Sequence, residues 1–156
     1  MHQFNRVQRA FSMIELVIVV VIIGIIAAIA VPRMSRGATG ATESTLTANL
    51  RVLRNAVELF QTEHDGIYPS TTDVVAQLTT YSNAAGTPSA TKTGAFIFGS
   101  YINAIPPLPV GAKKHNTGIA AADGAGIGWI YDGAGTIVSN TSSSEVDSQG
   151  KKYSLY

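Results

Sequence analysis

The hydrophobic pattern changes character as the chain proceeds. From residue 16 to residue 31, sixteen consecutive positions carry no polar side chain. Counting from residue 11 makes twenty-one, interrupted only by Ser12 and Glu15. A helix of that length rises roughly 31 Å, close to the hydrocarbon thickness of a bilayer. It is apolar on every face, and a chain of 156 residues has no core wide enough to surround it. The segment belongs in a membrane or inside an assembly.

Residues 34–40 form a weak spot for a helix, with Gly37, Gly40 and the preceding Pro32. Gly costs about 1 kcal/mol in a helix interior and Pro about 3. Beyond it Leu46, Leu50, Leu53, Val57 and Phe60 recur at steps of four and three, one apolar stripe of a 3.6-residue helix. Arg51, Arg54, Glu58 and Glu63 fall on other faces, and Arg54–Glu58 is an i, i+4 pair worth a few tenths of a kcal/mol. Gly66, suited to the left-handed position, ends this helix, with Pro69 just beyond.

The remaining chain is more broken. Ser70, Thr71, Thr72 and Asp73 read as a helix start, followed by Val74, Val75, Leu78 and Tyr81 on one short amphipathic helix. Residues 82–94 and 113–128 read as loops, and Pro106, Pro107 and Pro109 exclude regular structure between them. Gly128-Trp129-Ile130-Tyr131 and Thr136-Ile137-Val138 flank an Asp-Gly turn and predict a hairpin. Residues 139–152, rich in Ser, read as a flexible tail or edge.

Charge and chemistry add little to this outline. The charged fraction is 13%, and formal net charge is +1. Losing residues 1–10 would remove Arg6 and Arg9, leaving nine basic and ten acidic side chains, or −1. No basic patch suited to nucleic acid survives that count. There is no cysteine and hence no disulfide framework. His2, His64 and His115 lack metal-ligand spacing, and His64 falls at a helix end, where a cation is mildly favoured. Gly124, Gly126 and Gly128 precede a hairpin rather than a helix, so they read as turn residues and not as a phosphate cradle. No Ser, His and Asp arrangement supports an enzyme.

The informative residue is Glu15. A carboxylate within an apolar span costs roughly 2.5 to 3.5 kcal/mol on insertion scales, more than the helix dipole returns. A cut between Ala10 and Phe11 would create an ammonium on Phe11, one helical turn from Glu15. Phe11-Ser12-Met13-Ile14-Glu15-Leu16, the apolar run and Pro32 resemble the N-terminal segment of type IV pilins and type II secretion pseudopilins. That resemblance implies cleavage by a prepilin peptidase between Ala10 and Phe11, and N-methylation of Phe11. It also implies an assembly role for Glu15 and helix-loosening roles for Gly24 and Pro32. The family nearly always places Gly before the cut, where this chain has the small Ala10. The hairpin and the Pro-rich segment before it resemble, more loosely, the C-terminal part of major pseudopilins. Those proteins hold calcium in a C-terminal loop; Asp123, Asp132 and Asp147 are the available carboxylates here and Asp123 and Asp132 the candidate ligands, with turn and surface aspartates as the preferred reading and no cofactor otherwise.

The expected fold is α+β: a long N-terminal helix, transmembrane in its first half, packed on a small antiparallel sheet with loops. The expected division is a leader over 1–10, a transmembrane and assembly helix over 11–32, and a periplasmic or extracellular globular domain over 33–156. The expected function is structural, as a subunit of a filament assembled from the inner membrane. A type II secretion pseudopilus acting in protein export is favoured, and a type IV pilus for adhesion, motility or DNA uptake is the alternative. Partners implied by the resemblance are further copies of the chain, minor pilins or pseudopilins, the prepilin peptidase and an inner-membrane assembly platform. A different class is a secreted binding module: Ala28-Ile29-Ala30 fits an ordinary signal peptidase cutting after Ala30, although Glu15 opposes the usual grading of a signal peptide.

Overall fold

A computed structural model describes residues 11–156. The chain divides into two units, Met1–Ala38 and Thr39–Tyr156. Helix α1, Met13–Glu63, contributes to both. The weak spot at residues 34–40 does not interrupt it, although the division between the units falls within that stretch. Extending an existing helix needs only one residue fixed per hydrogen bond, so two isolated glycines slow it without stopping it. Side chains of the following turns also bond back to the helix: Thr42, Ser44, Thr45 and Thr47 donate to the carbonyls of Thr39, Gly40, Ala41 and Glu43.

The C-terminal end of α1 follows the predicted chemistry. Asp65 and Gly66 take positive φ values of 52° and 85°, and the Gly66 N–H donates to the Gln61 carbonyl at 2.9 Å. His64 does sit at that end, but it is buried rather than solvated. Its ring stacks on Phe60 with centroids 3.8 Å apart, Nδ1 lies 2.7 Å from the Phe60 carbonyl and Nε2 lies 3.1 Å from the Ser82 hydroxyl.

In the second unit, Leu46, Leu50, Leu53, Val57 and Phe60 are all at most 1% exposed. They form one core with Val74 and Leu78, Leu108 and Val110, and Trp129, Tyr131, Ile137 and Tyr153. Burying each large apolar side chain contributes roughly 1.5 to 3 kcal/mol. Helix α2, Val74–Thr79, is shorter than expected. Tyr81 belongs instead to β1, Tyr81–Ser82, which pairs antiparallel with β2, Pro88–Ser89, and β3, Phe98–Gly99. The segment expected as a free loop therefore carries a small sheet of its own.

The second sheet has the order β4-β5-β6, with β4 Gly118–Ala120, β5 Ile127–Tyr131 and β6 Ile137–Ser139. The predicted hairpin is β5–β6, with Trp129 opposite Ser139 and Tyr131 opposite Ile137. Its turn is fixed by Asp132, whose Oδ1 accepts the N–H groups of Ala134 at 2.7 Å and Thr136 at 2.9 Å. Strand β4 was expected to be loop, and it pairs with β5 in parallel. That pairing brings backbones close together: a Cβ on Gly118 would lie 2.7 Å from the Gly126 carbonyl oxygen, and Gly128 is confined as well. A Cβ there would lie 2.3 Å from the Asn116 carbonyl oxygen. Of the three clustered glycines, Gly126 is a turn residue with φ of 76°, whereas Gly128 is required by close approach within a strand.

The C-terminal segment is tied down rather than loose. Glu43 on α1 accepts the Ser148 N–H at 2.8 Å and its hydroxyl at 2.9 Å. Asp147 Oδ1 accepts the N–H groups of Gln149 and Lys151, each at 2.8 Å, and Oδ2 accepts the Tyr156 hydroxyl. The Pro-rich segment is held likewise: the Trp129 indole N–H donates to the Pro106 carbonyl at 2.9 Å, and Asn49 donates to that of Pro107 at 3.0 Å.

Candidate functional site

Phe11 and Ser12 precede the helix, and the Leu16 N–H donates to the Ser12 carbonyl at 3.2 Å. Glu15 lies in the first turn of α1, where the unsatisfied N–H groups favour a negative side chain by about 0.3 to 1 kcal/mol. Among the described residues Glu15 has no ion-pair or hydrogen-bond partner, and it is exposed. Phe11 is 80% exposed. Met13–Val31 has a mean hydropathy of 3.2 over its 19 residues, with none of it buried. A soluble monomer rarely leaves more than a few hundred Å² of contiguous apolar surface in water, and this segment exceeds that on all sides.

Residues 5–31 match the family model described as the prokaryotic N-terminal methylation motif. The chain carries that prepilin-type signal. It fits the resemblance to type IV pilins and pseudopilins drawn from Phe11, Glu15 and the apolar run. Such a signal implies processing by a prepilin peptidase and assembly into pilus-type filaments, and together with the apolar helix it fits anchoring in a membrane. No curated protein and no solved structure matches the chain.

The methylation-motif segment holds Phe11, Glu15 and Gly24 in the described residues, while Ala10 lies outside them. Phe11 precedes the helix, and Glu15 lies four positions on in its first turn. Gly24 lies within α1, and a Cβ there would meet nothing within 4 Å. Pro32 is also inside α1, where it removes one helical N–H from the ladder.

The aspartates proposed for calcium lie in the second unit and are engaged separately. Asp123 Oδ1 meets the Lys113 ammonium at 2.5 Å and accepts from the Asn140 amide at 2.9 Å. Lys113 and then Asn140 hold its carboxyl below the usual range. Burial pushes the Asp132 carboxyl up, but the bonds from Ala134 and Thr136 outweigh it and hold the group low. Among the described residues, no group of three or more His, Cys, Asp or Glu side chains is placed to hold a metal ion. Asp123 is thus engaged by an ammonium and Asp132 by the backbone N–H groups of its own turn.

The Arg54–Glu58 pair expected on α1 does not form. Arg54 turns toward the end of the chain, where Nη2 donates to the Ile137 carbonyl at 3.1 Å and to the Tyr156 carbonyl at 2.5 Å. An exposed helix pair is worth a few tenths of a kcal/mol, less than two bonds to carbonyls in a half-buried corner. Arg51, Arg54 and Lys151 line one open groove with Thr47, Leu50 and Tyr156, with a volume of about 310 Å³. Helical spacing could have paired Arg51 with Arg54, but Lys151 is a hundred residues away and left no local signal.

Proposed function

We propose that the mature chain is a structural subunit of a helical filament assembled from the inner membrane, with a type II secretion pseudopilus as its setting. The methylation motif laid over an apolar segment with a single acid carries this reading. A prepilin peptidase cuts between Ala10 and Phe11 and the new amine is methylated. The chain then rests as a single-pass inner-membrane protein, its remainder periplasmic until the filament forms and extracellular where the filament emerges. During assembly the Glu15 carboxylate neutralises the Phe11 ammonium of an adjacent copy. A buried charge left unpaired is strongly destabilising, so a subunit entering in register is selected over one that is not. Gly24 and Pro32 weaken the helix locally and let it adjust as it leaves the membrane. Partners are further copies, minor pilins or pseudopilins and the assembly platform; the role is mechanical and not enzymatic.

The pseudopilus setting is favoured over a surface pilus by the cysteine-free C-terminal region and by the resemblance of the hairpin and Pro-rich segment to major pseudopilins. Co-expression with a prepilin peptidase, followed by mass spectrometry of the mature N-terminus, tests the proposal. The expected product begins at N-methylated Phe11. A product beginning at Val31 would replace this reading with that of a secreted binding module. Loss of protein export on gene deletion distinguishes the pseudopilus from a pilus, for which adhesion, motility or DNA uptake would fail instead.

A further inference from the structure

Two open grooves lie along the second half of α1, and their chemistry is complementary. The first, about 310 Å³, is lined by Thr47, Leu50, Arg51, Arg54, Lys151 and Tyr156. Its lining holds three cationic side chains and no acidic side chain. Arg54 is engaged by the Ile137 and Tyr156 carbonyls and Lys151 lies 4.0 Å from the Tyr156 ring centroid, which leaves the exposed Arg51 as the cation without such a contact among the described residues. Asp147 stands near Lys151, but its oxygens are taken by the Tyr156 hydroxyl and by backbone N–H groups. The second groove, about 290 Å³, is lined by Asn55, Glu58, Leu59 and Thr62. Glu58 has no side-chain partner among the described residues, and Leu59 is 53% exposed.

These grooves cannot satisfy each other within one chain. At 100° and about 1.5 Å per residue, their helix residues are centred roughly 80° and about 12 Å apart. They face different directions around the helix axis. A basic groove that accepts a different, acidic patch makes a heterologous contact, and such contacts propagate into open arrays instead of closing into dimers.

We propose that the basic groove of one copy receives the Glu58–Leu59 patch of a second copy, with Glu58 meeting Arg51 and Lys151 while Leu59 covers the exposed stem of Arg51. Each copy then uses one groove toward each of two neighbours. This rests on the filament reading above and names the surface through which the globular units meet. Two parallel copies bring the patches together when one is displaced by about 12 Å along α1.

The chain has no cysteine, which makes the contact directly testable. Full-length Arg51→Cys/Glu58→Cys is treated in membranes and in sheared filaments with a short thiol-specific bifunctional crosslinker. A ladder of multimers is expected from the double variant and none from either single variant. Charge reversal gives a second arm: Arg51→Glu and Glu58→Arg singly each lower filament yield roughly tenfold or more, and the two together restore it. Absence of the ladder from the double variant, or crosslinked dimers from a single variant, would overturn the proposal. A ladder in membranes without any filament would keep the contact and sink the filament reading. Wild-type filaments without a ladder would do the reverse.

Discussion

The two stretches of α1 share one backbone conformation and have opposite surroundings. In Met13–Val31 every side chain but that of Glu15 is non-polar, and none of it is buried. Between Leu46 and Phe60 the stripe of Leu46, Leu50, Leu53, Val57 and Phe60 is covered, while Arg51, Asn55 and Glu58 face outward together with the exposed Val52 and Leu59. The helix is thus not one element with one job. The second stretch is stabilised by the chain's own core, whereas the first leaves its apolar surface for lipid or other copies to cover. Stability and assembly should therefore respond to different substitutions.

The sharpest separation comes from Trp129→Ala set against Ile22→Ala, both measured by unfolding of the full chain in detergent. Trp129 is fully buried and its indole bonds to the Pro106 carbonyl, so truncation should cost about 3 to 5 kcal/mol. Ile22 is exposed at 51%, and its loss should leave the unfolding of the second unit unchanged. Equal effects would show that the two stretches are energetically one body.

Gly128→Ala should cost about 1 to 3 kcal/mol, because the new Cβ would lie 2.3 Å from a carbonyl oxygen that belongs to backbone. Gly24→Ala, with nothing within 4 Å, should leave unfolding of the second unit untouched. The comparison can be read from the same melting curves. Glu15→Ala inverts the pattern, with an unchanged unfolding midpoint but a loss of filaments or of their register. Unimpaired assembly would end the proposed pairing with Phe11.

The smallest expected effect is acid sensitivity, confined to the second unit. The Tyr156 hydroxyl, followed by the Lys151 and Gln149 N–H groups, outweighs desolvation and holds the Asp147 carboxyl below its ordinary value; Asp123 and Asp132 are also held low. A depressed folded-state pKa contributes stability above the unfolded value of about 3.9 and loses it as pH falls through the folded one. The unfolding midpoint should hold steady from about pH 7 to 5 and fall below about pH 4. Asp147→Asn should flatten that fall, which a pH series of thermal melts would reveal.

Local patterns in the sequence predicted what is local in the structure. The apolar run, the α1 stripe, Gly66 at the helix end and the β5–β6 hairpin each announce themselves within a few residues, through period or turn chemistry. Glu15 stands out for the same reason, as one acid in an oily run, and its part in assembly belongs to the proposal above. Strand β4 was not legible, because a three-residue strand has no period and its parallel partner is fixed by close backbone approach at Gly118 and Gly128. The two-residue strands β1 to β3 were hidden likewise. The order in residues 139–152 depends on Glu43, about a hundred positions earlier, so composition alone made the segment look mobile. Arg54 forsook its helical neighbour for carbonyls supplied by distant chain, which no i, i+4 rule anticipates.

The Lys113 ammonium joins Asp123, between β4 and β5, to the Asn140 side-chain oxygen at 2.9 Å, just past β6. Because that positive charge is built into the polypeptide, dilution or chelation cannot strip it away. The corner it braces keeps its cation whatever the ion content of the surrounding solution.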